Sequence, residues 1–131
     1  MAESFQTRAL GAEADAIAPD GSEVRLLSAS ARGSMAHFRL GAGRVSKPVK
    51  HRGVEELWFF TAGEGEMWRK WEAGESLVAV TAGVSIAIPP GTAFQFRATG
   101  TAPLEAVGVT MPPWPGMDEA IPVEGIWAAR V

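Results

Sequence analysis

Residues 48–65 read PVKHRGVEELWFFTAGEG and combine a histidine, a pair of carboxylates, an aromatic run and a glycine turn. The run Val54–Thr61 predicts a strand, because it is rich in aromatic residues and ends at a turn signal. The GEG sequence at positions 63–65 is that turn, and Glu66–Trp71 is predicted to pair back along the first strand. This hairpin is the clearest structural signal in the chain, and we expect the other elements to fold around it.

Short apolar runs on either side of this hairpin predict further strands. Fifteen glycines and nine prolines separate these runs at fairly regular intervals, which is typical of an all-β sandwich or barrel. Both faces of the run at 75–81 are apolar, so we expect cover on both sides of that strand. The run at 11–18 has no sustained apolar stripe, and we expect a turn or two of helix there at most. The further predicted strands are Ser4–Leu10, Glu23–Ser28, Ser34–Leu40, Glu75–Thr81, Val84–Ile88, Ala93–Thr99 and Leu104–Met111.

Length and composition restrict the class of protein. The chain of 131 residues has the length of one domain, and its 47% of apolar residues suffices for one core. Because the chain has no cysteine, disulfides and thiolate metal sites are excluded. The net charge of -3, with both signs interspersed, leaves no basic footprint for nucleic acid. No apolar run approaches the roughly 20 residues that span a bilayer, and the first residues lack a secretory pattern, so we expect a cytoplasmic protein without membrane or nucleic-acid partners.

The last twenty residues are rich in proline but also carry apolar bulk. Trp114, Ile121, Val123, Ile126 and Trp127 all lie in this segment. A disordered tail rarely holds so many large apolar side chains. We therefore expect a single domain over residues 1–131, with residues 112–131 docked on its surface or on a partner subunit.

The central part of the chain resembles the cupin superfamily. The first cupin motif reads Gly, five residues, His-x-His, three or four residues, Glu, six residues and Gly. Gly43, His51, Glu56 and Gly63 match it in frame, but Val49 stands at the first histidine position. This resemblance implies a double-stranded β-helix, or jelly-roll barrel, with a cavity at one end.

The second cupin motif follows in the same frame, so that the resemblance covers residues 43–98. It reads Gly, five residues, Pro-x-Gly, two residues, His, three residues and Asn. Gly83, Pro89 and Gly91 match it, whereas Phe94 replaces the histidine and Ala98 replaces the asparagine. In metal-binding cupins the three histidines and the glutamate converge on iron, manganese, nickel or zinc.

Only His51 and Glu56 of that metal-binding set are present. Catalytic zinc usually takes three protein ligands, and non-haem iron takes two histidines and a carboxylate. We therefore expect no cofactor, or at most a weakly bound divalent metal ion held by His51 and Glu56. His37 would complete such a set, but strand alternation places it with Met35 and Arg39 on the outer face.

The same alternation predicts a pocket lined by aromatic rings. The motif frame points Glu56 into the barrel, which brings Trp58 and Phe60 to the same wall, while Gln95 and Arg97 point out. Plain core packing explains such rings equally well. The predicted pocket residues are His51, Glu56, Trp58, Phe60, Phe94 and Phe96.

These observations favour a cupin that binds a small, largely apolar or aromatic molecule without turning it over. The alternative is a metal-dependent oxygenase or isomerase that uses His51 and Glu56 with further ligands such as His37 or Gln95. Metal-free acid–base catalysis by His51 and Glu56 is a third reading, and a purely structural role is a fourth, so whether any reaction is catalysed stays open.

Assembly is a separate expectation. Small cupins commonly form dimers, and the outer side chains in the run at 57–60 are apolar and need cover. We therefore expect a homodimer.

Overall fold

The computed structural model describes residues 5–131, which form two packed antiparallel sheets. Across these residues there are eleven strands and one short 3-10 helix, Met117–Glu119. The strands are β1 (Ala16–Ile17), β2 (Glu23–Ser30), β3 (Gly33–Leu40), β4 (Val49–His51), β5 (Glu55–Ala62), β6 (Glu64–Trp71), β7 (Gly74–Thr81), β8 (Ser85–Ile88), β9 (Ala93–Ala98), β10 (Leu104–Met111) and β11 (Ala120–Pro122). No helix in this part of the chain is long and apolar enough to cross a membrane.

The strand order confirms the predicted all-β jelly roll. One sheet runs β1-β2-β3-β10-β5-β8 and the other runs β11-β4-β9-β6-β7. Their inner faces share one apolar core, to which the first sheet contributes Trp58 and Phe60 and the second contributes Phe94, Phe96 and Met67. Because apolar residues alternate along each strand, burying one face of each sheet is enough to form this core.

The predicted hairpin between the two strands of the central stretch is wrong. β5 pairs with β10 and β8 in one sheet, whereas β6 pairs with β7 and β9 in the other. The chain does change direction at the predicted glycine turn, but it crosses there from one sheet to the other. Gly63 makes this crossing with a φ of 82°, and a side chain there would meet the Pro103 backbone. Pairing partners are decided by distant strands, which the local sequence does not reveal.

The beginning of the chain also differs from expectation. Residues 5–10 form no strand, and Ser4 lies outside the described residues. This segment is held by a side chain instead, because Gln6 Oε1 accepts a hydrogen bond from the Ala29 amide at 2.9 Å, beside the irregularity in β2. The stretch at 11–18 contains no helix, and its residues Ala16–Ile17 pair with β2.

The prediction that Glu75–Thr81 is covered on both sides is wrong as well. β7 is the edge strand of its sheet, and Leu77 on its outer face is 53% exposed, whereas Val80 on the inner face is fully buried. Leu57 and Phe59 on the outer face of β5 are likewise about half exposed. The homodimer that would cover such a face stays a prediction.

The outer face of β9 is covered by the chain's own last residues. Gln95 is fully buried there, and its Nε2 donates to the carbonyls of Ser46 and Trp127 at 2.9 and 2.8 Å. Its Oε1 accepts from the amides of Ile126 and Trp127 at 3.0 and 3.1 Å. The Arg97 guanidinium lies over the Trp127 ring, 4.3 Å from its centroid. The Gln95 amide therefore supplies three of the hydrogen bonds that hold the C-terminal segment, beside backbone bonds such as those between Val45 and Arg130.

Replacing Gln95 by alanine should loosen this segment. The change leaves two tail amides and a tail carbonyl without their partner, at about 1–3 kcal/mol for each unsatisfied buried group. We expect hydrogen exchange of the Ile126 and Trp127 amides to accelerate by roughly ten- to a hundredfold. Gln6→Ala, at the other end of the chain, is the matched control and should leave these two amides unchanged. Unaltered exchange in Gln95→Ala would show that the segment is held by other contacts.

Candidate functional site

A cavity of about 270 Å³ lies between the two sheets, at the end of the barrel where β5 begins and β10 ends. Inner-face side chains of both sheets line it, among them Ala36, Phe38 and Val49, and the C-terminal segment contributes Trp114. Its polar lining residues are Gln6, Arg8, Asp20, Ser34, His51, Glu56 and Thr110. The cavity is therefore an apolar chamber with a small number of polar groups.

Four of the six predicted pocket residues line this cavity, namely His51, Glu56, Trp58 and Phe94. The other two, Phe60 and Phe96, lie farther along their strands in the closed core. Trp58 separates the two environments, because its ring packs edge-on against Phe96 at 5.2 Å and against Phe94 at 6.0 Å. Strand alternation identified the correct face of β5 but could not tell how deep the cavity runs.

His51 and Glu56 are adjacent inside the cavity. His51 Nδ1 lies 3.3 Å from Glu56 Oε2, but the geometry is not that of a hydrogen bond, and both atoms are buried without a partner. Glu56 Oε1 accepts a hydrogen bond from the Thr110 hydroxyl at 3.1 Å. The two side chains are thus in contact, while each keeps one hydrogen-bonding atom unused.

Burial favours the uncharged form of both groups. The pKa of Glu56 is raised to about 7, mainly by loss of solvent; the hydrogen bond from Thr110 lowers it, the nearby Asp20 raises it and the nearby Trp58 indole lowers it. Loss of solvent lowers the pKa of His51 to about 4, against the attraction of Glu119. At neutral pH the cavity therefore holds a neutral imidazole beside a carboxyl group that is close to its midpoint.

Asp20 is a second acidic group at the cavity, and the sequence did not single it out. Burial raises its pKa, although its carboxylate accepts hydrogen bonds from the Ser22 hydroxyl at 2.7 Å and the Ser22 amide at 2.9 Å. It belongs to the Pro19-Asp20-Gly21 turn, which the sequence presents only as a turn. Thr110 was also missed, although its place on the inner face of β10 follows from the alternation with Leu104 and Ala106.

Aromatic rings enclose the His51 imidazole. Phe94 packs edge-on at 5.3 Å between ring centroids, and Trp114 packs edge-on at 5.1 Å from the C-terminal segment. Trp114 is fixed in turn by its amide, which donates to the Ser34 hydroxyl at 3.0 Å. Val49 pairs directly with Phe94 across the β4–β9 ladder, so the two positions where the motif has histidine are apolar neighbours.

This donor set does not fit a metal ion that needs three protein ligands. Within residues 5–131 no three histidine, cysteine, aspartate or glutamate side chains are grouped so that they could hold one. His37 does not line the cavity, and its Nε2 lies 3.0 Å from Glu105 Oε1 instead. Gln95 is fully engaged with the C-terminal segment. Neither residue that would supplement His51 and Glu56 is therefore within their reach.

Comparison with known proteins places this architecture in a family. The family model described as "Cupin domain" matches residues 36–110, which is more than half of the chain. Among solved structures, BH2720 from Bacillus halodurans is 20% identical with a TM-score of 0.64, over 76% of this chain and 74% of that chain. KdgF from Halomonas sp. is 14% identical with a TM-score of 0.62, over 72% of this chain and 82% of that chain.

A variant of oxalate decarboxylase from Bacillus subtilis is also similar, at 16% identity and a TM-score of 0.69. The match covers 79% of this chain but only 29% of that enzyme, whose Mn(II) centres are the subject of a related structure. No curated protein matches the sequence. At these identities the structural likeness shows the fold alone.

Proposed function

This chain belongs to the cupin family, and we propose that it binds a small, uncharged, largely apolar molecule that carries one hydroxyl or carbonyl group. The observation that supports the proposal is the composition of the cavity, in which mainly apolar walls surround the adjacent side chains of His51 and Glu56. Most small-molecule sites have this character, with a few placed polar groups in a mainly apolar chamber.

The electrostatics of the cavity argue for an uncharged ligand. An anion would lie among the buried carboxyl groups of Asp20 and Glu56, whereas Arg8, the basic residue of the lining, is exposed. A cation would require a fully ionised Glu56, which burial opposes. A neutral molecule meets neither penalty.

The unused polar atoms around the cavity argue for one oxygen on that molecule. His51 Nδ1, Glu56 Oε2 and Trp58 Nε1 are all buried without a hydrogen-bond partner. Each such group costs about 1–3 kcal/mol, and a ligand that supplies a partner recovers part of this cost. The indole N–H of Trp58 only donates, so the ligand must bring an acceptor, which hydroxyl and carbonyl oxygens both provide.

The volume of the cavity limits the ligand to about one substituted ring. The chamber of 270 Å³ lies just below the usual range of roughly 300–1,000 Å³ for ligand pockets. An apolar cavity of about 150 Å³ is known to hold benzene, so a ring with a polar substituent fits here.

Proton transfer by the same couple is a second candidate function. A general acid or base works best when its pKa is near the operating pH, and burial raises the pKa of Glu56 to about 7. A neutral imidazole 3.3 Å away provides a second site for the proton. Chemical change in a bound ligand, lost in Glu56→Gln, would favour this function over simple binding.

The binding proposal is tested by filling the cavity. Phenol and cyclohexanone should bind the wild-type protein and shift the indole resonance of Trp58, and benzene should bind more weakly because it brings no oxygen. Ala36→Phe places a ring in the chamber, where Ala36 is a lining residue, and should weaken phenol binding by roughly tenfold or more.

The matched control is Ala79→Phe, which adds the same ring at an exposed position of β7. Its affinity for phenol should equal that of the wild type. The proposal is wrong if none of the three probes binds, or if Ala36→Phe binds phenol as tightly as Ala79→Phe does.

A further inference from the structure

A second cavity, of about 430 Å³, lies where the edge strand β8 approaches strands β6 and β7 of the other sheet. Its lining includes a guanidinium group, two hydroxyls and an exposed indole. The lining side chains that matter are Arg69, Trp71, Glu75, Ser76 and Thr92. The two cavities share no lining residue, so any activity here is independent of the central site.

We propose that this second cavity binds the carboxylate group of a small molecule through Arg69 and Thr92. The Arg69 guanidinium is anchored at one end, where Nη1 donates to the Ala87 carbonyl of β8 at 2.7 Å. Its Nε is buried without a partner, and Nη2 reaches only the Ser76 hydroxyl at 3.4 Å. Nε and Nη2 form the side of the guanidinium that pairs with a carboxylate through two parallel hydrogen bonds.

The fold brings a further donor to the same cavity. In the antiparallel ladder between β6 and β9, Lys70 pairs with Ala93. Thr92 precedes Ala93, so it lies beside Trp71 at the end of β6. Thr92 is 2% exposed, and its hydroxyl has no hydrogen-bond partner. Two buried donors with no acceptor therefore line one cavity, and an anionic oxygen is the partner that satisfies both.

The other residues of the cavity restrict the ligand to a monoanion with an apolar body. Glu75 stands in the wall, where its Oε2 accepts a hydrogen bond from the Trp68 indole at 2.7 Å. A second carboxylate in the same lining opposes a doubly charged group such as phosphate more strongly than a singly charged one, for which Arg69 supplies the hydrogen-bond donors. Trp71, which is 46% exposed, offers a ring face against which an apolar or aromatic body packs.

The test is a titration of the ¹⁵N-labelled full chain with sodium benzoate at constant ionic strength. The Nε–H resonance of Arg69 and the indole resonance of Trp71 should shift together and saturate, while the Trp58 indole in the central cavity should not shift. Arg69→Lys keeps the charge but removes the two-donor edge, so affinity followed at Trp71 should fall by roughly tenfold. Thr92→Val removes one donor without touching the guanidinium and should also weaken binding.

Arg32→Lys, the same change at an exposed position, is the matched control and should bind benzoate as the wild type does. The proposal is overturned if Arg69→Lys and Thr92→Val both retain wild-type affinity, or if benzoate shifts only Trp58. It is also overturned if sodium chloride or inorganic phosphate reproduces the shifts at equal concentration, since that would indicate an adventitious ion only. Because the two cavities share no residue, each of these results leaves the outcome of the phenol experiment unaffected.

Discussion

Gly63→Ala should prevent the chain from folding. The residue has a φ of 82°, and a Cβ atom there would lie 2.2 Å from the Pro103 carbonyl oxygen and 2.8 Å from Leu104 Cα. The left-handed conformation costs a non-glycine residue about 1–2 kcal/mol, and the collision with backbone atoms, which cannot rotate away, adds to it. The sum should exceed about 4 kcal/mol, which is a large part of the roughly 5–15 kcal/mol by which an ordinary domain is stable. Circular dichroism of the purified variant and its urea unfolding measure the effect.

Gly91→Ala is the control that separates conformation from collision. Gly91 also has a positive φ, of 76°, but no atom lies within 4 Å of the position its Cβ would take. This variant should fold and lose only about 1–2 kcal/mol. Equal losses in the two variants would mean that the crossing between sheets does not require the close approach to Pro103.

Glu56→Gln should become more stable relative to the wild type as the pH rises. In the folded protein burial raises the pKa of Glu56 to about 7 from its usual 4.5, so the folded state binds more protons than the unfolded state between these values. The stability that Glu56 contributes is complete below pH 4.5 and is lost as the pH rises through about 7. This rise in pKa corresponds to about 3 kcal/mol of unfolding free energy. The wild-type protein loses this contribution as the pH rises, whereas the glutamine variant has no such contribution to lose. Urea unfolding of both proteins from pH 4.5 to about pH 8 gives the difference.

In the wild-type protein the pH dependence that His51 contributes to stability opposes that of Glu56. Burial lowers its pKa from 6.5 to about 4, so its contribution is present above pH 6.5 and is lost as the pH falls through about 4. Between pH 4.5 and 6.5 the two contributions therefore oppose each other, and only the single variant separates them. Glu55→Gln, on the exposed outer face of the same strand, is the matched control for the loss of one carboxyl group. A difference between Glu56→Gln and the wild type that does not change with pH would show that the Glu56 carboxyl group is not held neutral.

Local sequence predicted the fold to the extent that it depends on turns and alternation. The glycines of the two cupin motifs are informative because some have steric reasons to be glycine, as Gly63 shows. The pairing between strands was harder to predict from the sequence, because β5 and β6 follow one another in the chain yet join different sheets. The exposed outer face of β7 was missed for a similar reason, since Leu77 and Val80 are both apolar and only the packing of the other sheet against one of the two faces distinguishes them.

The candidate site was likewise predictable only where it depends on strand alternation or on the motif. Alternation on β5 is sufficient to place Glu56 and Trp58 on the inner face, and the motif frame adds His51. Trp114 comes from the irregular C-terminal segment, where no period relates a residue to the barrel, so its contact with His51 was not predictable. The burial of Gln95 was hidden too, because an outward-facing residue becomes buried only when another part of the chain covers it.

We infer that His51 and Glu56 form a couple of a neutral imidazole and a carboxyl group near its midpoint in an apolar chamber, and not half of a metal centre. Titration of the ¹⁵N-labelled protein with Mn(II) at neutral pH tests it most directly, because the Trp58 indole lies on the same face of β5 as Glu56 and a paramagnetic ion beside it broadens that resonance. We expect one equivalent of Mn(II) to leave the Trp58 indole resonance sharp. Selective loss of that signal at one equivalent, abolished by Glu56→Gln, would contradict it.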